Sequence, residues 1–152
     1  MNKIIESIRT IPNFPKKGIM FRDVTTLFSN PPAFKQTINE ICNYWENKNL
    51  TKIIGIEARG FIIGSCVSLE LGLPFIPIRK KGKLPHTTIE ESYELEYGKA
   101  TIEIHSDALN SNDNVLIIDD LIATGGTAEA AAKLVNISKG GIAGFIFVIN
   151  LF

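Results

Sequence analysis

Val115-Leu116-Ile117-Ile118-Asp119-Asp120-Leu121-Ile122-Ala123-Thr124-Gly125-Gly126-Thr127 is the stretch on which the fold turns. The apolar, β-branched run over 115–118 reads as a buried strand, and the alanine-rich stretch over 127–135 reads as a helix. Between them stand two adjacent carboxylates at the strand's carboxyl end, then a Thr-Gly-Gly-Thr turn that opens the helix. A strand feeding a helix through a glycine turn is the building unit of a parallel sheet.

The same alternation continues outward. Apolar residues at Phe34, Ile38, Ile41, Cys42 and Trp45 fall at helical spacing, with Pro31 and Pro32 in the first turn and Ser29 or Asn30 as cap. Residues 52–56 form a short β-branched strand, 61–71 an apolar helix ending at Gly72, and 74–78 a second strand. Further strands are expected over 101–104 and 143–149, and a short amphipathic helix around Ile4, Ile5 and Ile8. Continuous apolar strands alternating with helices predict an α/β fold, an open doubly wound, mainly parallel sheet with helices on both faces. Ligands in such sheets sit at the carboxyl ends of the strands, which places the site in the loops after Ile56, Ile78 and Ile118.

Bulk properties narrow the function. At 152 residues, without repeat or linker, the chain reads as one domain over 1–152. A formal net charge of zero argues against a nucleic-acid binder, which needs a basic excess. No run of about 20 apolar residues marks a membrane span. The N-terminus lacks the features of a secretory signal, and Cys42 and Cys66 lie in apolar stretches without ligand spacing, as in a reducing cytoplasmic setting. His86 and His105 show no catalytic or ligand spacing.

The deciding stretch also carries chemistry. A helix N-terminus offers unpaired amides and a positive dipole end to an anion, and Gly125 and Gly126 let backbone approach it closely. Thr124 and Thr127 add hydroxyl donors, while Asp119 and Asp120 can accept from the two hydroxyls of a ribose. Taken alone, the glycine pair reads as a solvated turn with Thr127 capping a helix. Phosphate cradle and diol acceptor together describe a ribose 5-phosphate site. No Gly-Lys-Ser/Thr follows a glycine loop and no Gly-x-Gly-x-x-Gly follows a strand, which sets aside a P-loop and a dinucleotide site.

Two acidic residues followed by Ala-Thr-Gly-Gly-Thr closely resemble the signature of the type I phosphoribosyltransferase family. Four further blocks, 14–25, 55–61, 79–85 and 93–99, resemble its adenine-using members, so the likeness runs from about Pro12 to the end. The resemblance implies transfer of phosphoribose from 5-phosphoribosyl 1-pyrophosphate to adenine, giving AMP and pyrophosphate, with Mg2+ carried by the donor's pyrophosphate and a homodimer as the assembly. It places the 5-phosphate on Ala123, Thr124, Gly125, Gly126 and Thr127, and the ribose on Asp119 and Asp120. Glu57, Ala58 and Arg59 match the loop that takes the pyrophosphate, with Arg79, Lys80 and Lys83 adding charge. Phe21 would stack on the base while backbone groups of Met20 and Arg22 read its edge. The polar stretch over 83–97 matches a closing lid, whose end carries Glu96 and Tyr97 as catalytic candidates, Glu96 for proton movement at N7. Family members continue past the last strand, so the chain is expected to lack their C-terminal segment. The donor motif alone does not choose the base. A catalytically silent donor sensor is the reading from another class, and Glu57, Arg59 and Glu96 count against it.

Overall fold

The computed structural model of the chain describes residues 2–95 and 97–151. Two compact units make it up, Met1–Tyr44 and Trp45–Phe152.

In the first unit, α1 (Lys3–Glu6) is capped by Asn2, whose side chain accepts from the Ile4 amide, and stops short of Ile8. Strands β1 (Arg9–Pro12) and β2 (Met20–Asp23) follow and pair antiparallel as a two-stranded sheet that the hydrophobic pattern does not announce. Next come α2 (Thr25–Phe28) and α3 (Pro31–Trp45), which runs on into the second unit. Asn30 caps α3, its Oδ1 accepting from the Ala33 amide at 3.3 Å, and the stripe Ala33, Ile38, Ile41 and Cys42 is buried.

The second unit contains β3 (Lys52–Ile56), α4 (Arg59–Leu71), β4 (Phe75–Lys80), β5 (Thr88–Glu94), β6 (Lys99–His105), β7 (Asn114–Ile122), α5 (Gly126–Ile137) and β8 (Gly141–Asn150). Its six strands lie in the order β5-β6-β4-β3-β7-β8. The four strands β4, β3, β7 and β8 are parallel, and β6 and β5 add an antiparallel edge. The mainly parallel α/β sheet is thus as expected, while β5 is a strand where the pattern predicts only a polar lid. Its alternate residues are half-buried, and alternation in so polar a segment leaves little hydrophobic signal.

Strand parity decides which face each helix covers. Ile54, Ile56, Val115 and Ile117 share a buried cluster with Ala130, Ala131, Leu134 and Val135 of α5. Gly55 points the other way, where an added Cβ would meet the Gly60 carbonyl of α4 at 2.9 Å. Strand β3 and the start of β7 are therefore buried on both faces, which is why they read as unbroken apolar runs. The connection β3–α4–β4 winds one way and β7–α5–β8 the other, which makes the β3/β7 boundary the topological switch point. Among the described residues no helix is long and apolar enough to cross a membrane.

Candidate functional site

The site lies at the carboxyl ends of β3 and β7, where the two windings part. Strand β7 runs on to Ile122, with Asp119 opposite Phe147 and Ile122 opposite Asn150. The two aspartates are therefore held within the strand rather than in a loop after Ile118. Successive strand residues point to opposite faces, so the pair cannot share one environment. Asp120 is 3% exposed, while Asp119 is half-buried.

Burial pushes the Asp119 carboxyl up to about 7, helped by the neighbouring Asp120 charge and opposed by the Asp120 amide and Arg59. That amide donates to Asp119 Oδ1 at 2.9 Å. Arg59 Nε donates to Asp120 Oδ2, an ion pair that ties the start of α4 to the end of β7. The Arg59 side chain is 47% exposed, so solvent reaches it as well as the aspartate.

The turn after β7 behaves as the glycine pattern requires. Gly125 caps α5 at φ 86°, a left-handed conformation costly for any residue with a Cβ. Gly126 is helical. Asp119, Ala123, Thr124, Gly125, Gly126 and Thr127 line a cleft of about 120 Å³, together with Phe147 of β8. Phe147 is a site residue that the sequence does not disclose, because nothing distinguishes it from other apolar strand residues. A larger cleft of about 410 Å³ lies between β5 and α5, and shares Thr124 and Gly126 with the first.

Across the switch point, the loop after β3 contains a cis Glu57–Ala58 peptide bond and leads directly into α4. Gly60 is what allows it to lie so close to β7: an added Cβ would stand 2.6 Å from the Ile118 carbonyl and 3.2 Å from Asp119 Oδ1. Glu57 accepts from Arg79 Nε at 3.2 Å, Arg79 Nη2 at 3.3 Å and the Lys80 amide at 2.9 Å. Burial pushes the Glu57 carboxyl up, but the Lys80 amide and the Arg79 guanidinium outweigh it and hold the group below the usual carboxylate range. Arg79, expected as a phosphate ligand, thus spends much of its fork on Glu57, and donates from Nη1 to the Lys83 carbonyl at 3.3 Å. Lys80 ends β4 next to it, and Lys83 lies just after the turn that follows.

The remaining expected residues lie elsewhere. Tyr97 is 77% exposed beside the β5–β6 turn, and Glu96 falls outside the described residues. Met20, Phe21 and Arg22 occupy β2 in the first unit. There Phe21 packs edge-on against Phe14 at 5.2 Å between ring centres, and Arg22 Nη1 donates to Thr10 Oγ1. The glycine turn shares a cleft with Asp119, Arg59 ties Asp120 to the loop after β3, and Arg79 ties Glu57 of that loop to the basic segment.

Known proteins share this sequence and fold. The sequence profile of the phosphoribosyl transferase domain matches residues 23–150. An adenine phosphoribosyltransferase of Shewanella sp. (strain ANA-3) is 54% identical over 151 residues, covering 99% of this chain and 82% of that one. The crystal structure of adenine phosphoribosyltransferase from Rhodothermus marinus superposes with a TM-score of 0.90 at 46% identity, covering 98% of this chain and 85% of that one. The Saccharomyces cerevisiae enzyme, complexed with adenine and an imino-altritol bisphosphate, gives a TM-score of 0.92 at 37% identity, covering 98% of this chain and 87% of that one.

Proposed function

The chain belongs to the phosphoribosyltransferase family, and on that premise we propose that it is an adenine phosphoribosyltransferase, converting adenine and 5-phosphoribosyl 1-pyrophosphate to AMP and pyrophosphate. The observation that carries this reading is the Asp119–Asp120 pair at the end of β7, one turn before the Gly125 cap of α5, at the switch point of the sheet. Its relatives' names supply the base.

The α5 amides and the hydroxyls of Thr124 and Thr127 take the 5-phosphate, and the aspartates accept from the ribose hydroxyls. As the bond from C1′ to the pyrophosphate lengthens, positive charge gathers on the ribose and negative charge on the leaving group. Adenine N9 then bonds to C1′ and the pyrophosphate departs with the bonding pair. Arg59, Lys80, Lys83 and the amides of the Glu57–Ala58 loop stabilise the developing negative charge, and the protein's remaining share is orientation. Phe21 stacks on adenine, Met20 and Arg22 read its edge through their backbone, and Glu96 moves the proton at N7 with Tyr97 beside it.

Asp119 and Asp120 are hard oxygen donors that suit Mg2+. Among the described residues no group of three or more His, Cys, Asp or Glu could hold a metal ion, and Mg2+ would come carried by the donor's pyrophosphate. When bound, Mg2+ adds positive charge beside the leaving pyrophosphate. The chain acts as one domain in a cytoplasmic homodimer, with neither nucleic acid nor membrane as partner. The direct test replaces Asp119 and Asp120 together by alanine. Turnover should be abolished while circular dichroism keeps the folded spectrum, and a fully active variant would remove the ribose assignment.

A further inference from the structure

Glu103 lies on β6 opposite Arg79 of β4 and Glu90 of β5, and is only 2% exposed. A carboxylate so far from water is costly unless it is paired or well hydrogen-bonded. Among the described residues its hydrogen bonds come from backbone amides and one hydroxyl, while the Lys81 charge acts on it without a close ion pair. The amides of Lys83 and Leu84 donate to Oε1 at 3.0 and 2.8 Å, and Thr88 Oγ1 donates to Oε2 at 3.4 Å. Burial pushes its carboxyl up, but the amides of Leu84, Gly82 and Lys83 outweigh that and hold it below the usual carboxylate range. The buried side chain is thus an ionised anchor for the backbone of the basic loop.

The rest of the loop is fixed as tightly. Glu57 holds the Lys80 amide at 2.9 Å, the Lys81 amide donates to the Thr101 carbonyl at 3.0 Å, and Arg79 holds the Lys83 carbonyl. Two carboxylates on different strands and loops therefore clamp its two ends. The side chains divide differently: Lys81 pairs with Glu90 at 2.9 Å, while among the described residues neither Lys80 nor Lys83 stands within ion-pair distance of a carboxylate. The backbone is ordered in advance. Although the Lys80 charge also acts on Glu57, neither ammonium is held in a close ion pair among the described residues, so both can turn to another partner. Such preorganisation favours an anion, because the ordering entropy is lost before it arrives.

We propose that Glu103 is a positioning residue for the phosphoribosyl donor, fixing the loop so that Lys80 and Lys83 meet its pyrophosphate already in place. The proposal rests on the reading of that loop as a pyrophosphate site. Steady-state kinetics with Mg2+, the donor and adenine on E103A, E103Q, K80A/K83A and the triple variant tests it. E103A should raise the donor KM at least tenfold and leave the adenine KM within twofold. E103Q keeps an oxygen for the two amides but loses the charge, and should raise the donor KM two- to fivefold. In the K80A/K83A background E103A should add less than threefold, since the groups it positions are gone. An unchanged donor KM in E103A, or equal rises in both KM values, would overturn the proposal. If E103A does not fold, E103Q decides it, and a donor KM equal to wild type is the contrary result. Failure of K80A/K83A to raise the donor KM would instead remove the loop's pyrophosphate assignment, and the proposal with it.

Discussion

Arg59, at the first position of α4, donates from Nε to Oδ2 of Asp120 near the end of β7. The pair spans the switch point of the sheet and joins the start of α4 to the end of β7. Its members differ sharply, the Asp120 side chain being 4% exposed and the Arg59 side chain 47%. A buried carboxylate depends on its partner more than an exposed cation does.

Replacing Arg59 by alanine should therefore cost about 1–3 kcal/mol of stability, the range for losing a hydrogen bond to a charged group. It should also raise the donor KM by at least about tenfold, equivalent to ~1.4 kcal/mol. Lysine should restore little, because it lacks the planar fork that can serve the aspartate and a phosphate together. Thermal melts and donor titrations check both effects. A destabilised variant with wild-type donor KM would confine Arg59 to its role with Asp120.

Asp119 sets the pH behaviour of the site. With its carboxyl pushed up to about 7, it is half protonated near neutrality before the donor binds. If the proposed ribose contact holds, the hydroxyls donate to the ionised form, and the donor KM should fall roughly tenfold between pH 6 and pH 8. D119N should flatten that dependence, and a donor KM without pH dependence in the wild type would contradict it.

The same group has the opposite consequence for stability. Its folded pKa lies above its unfolded value of 3.8, so the folded state binds the proton more tightly between about pH 4 and pH 7. The stability contributed by Asp119 is full below that window, falls as the pH rises through it, and levels off above 7. D119N removes the buried charge and should melt about 2–8 °C higher than the wild type at pH 8, for about 1–2 kcal/mol. Near pH 4 the two melting temperatures should converge.

Gly60 tests the packing that brings the loops together. An alanine Cβ would meet the Ile118 carbonyl at 2.6 Å, with backbone on both sides of the contact. G60A should lose about 1–3 kcal/mol, as overpacked sites do, and should lower kcat/KM for the donor by pushing the Glu57–Arg59 loop off β7. A crystal structure of the variant would show that displacement directly.

Asp113, just before β7 and at its far end from the site, provides the contrast. It is 7% exposed and accepts from Lys52 Nζ at 3.0 Å, the Asn110 amide at 2.8 Å and Thr51 Oγ1 at 3.0 Å. D113A leaves the half-buried Lys52 ammonium without this partner and should cost about 3 kcal/mol. Well below its melting temperature, kcat should be unchanged.

The parallel centre of the fold is legible because strands buried on both faces must be continuous apolar runs, as at 52–56 and 115–118. The end of β7 is not, since Asp119 and Asp120 interrupt the apolar run while pairing with β8 continues to Ile122 and Asn150. Strand β5 escapes notice because an edge strand with half-buried alternate residues can be as polar as Thr88–Glu94. The motif residues of the site stand together in the chain and were readable as chemistry. Their charge pairings were not: Arg59 reaches Asp120 across 61 positions, Arg79 reaches Glu57 across 22, and sheet order alone brings them together. Glu103 is harder still, because an acid between Ile102 and Ile104 ordinarily marks a solvent face, and here it turns inward to backbone amides.

The central claim is the reaction itself. Purified protein with Mg2+ and 5-phosphoribosyl 1-pyrophosphate should be offered adenine, hypoxanthine and guanine separately, and the products separated by chromatography. AMP from adenine alone is the expected result. A nucleotide from hypoxanthine or guanine but none from adenine, or donor binding without product from any base, would contradict it.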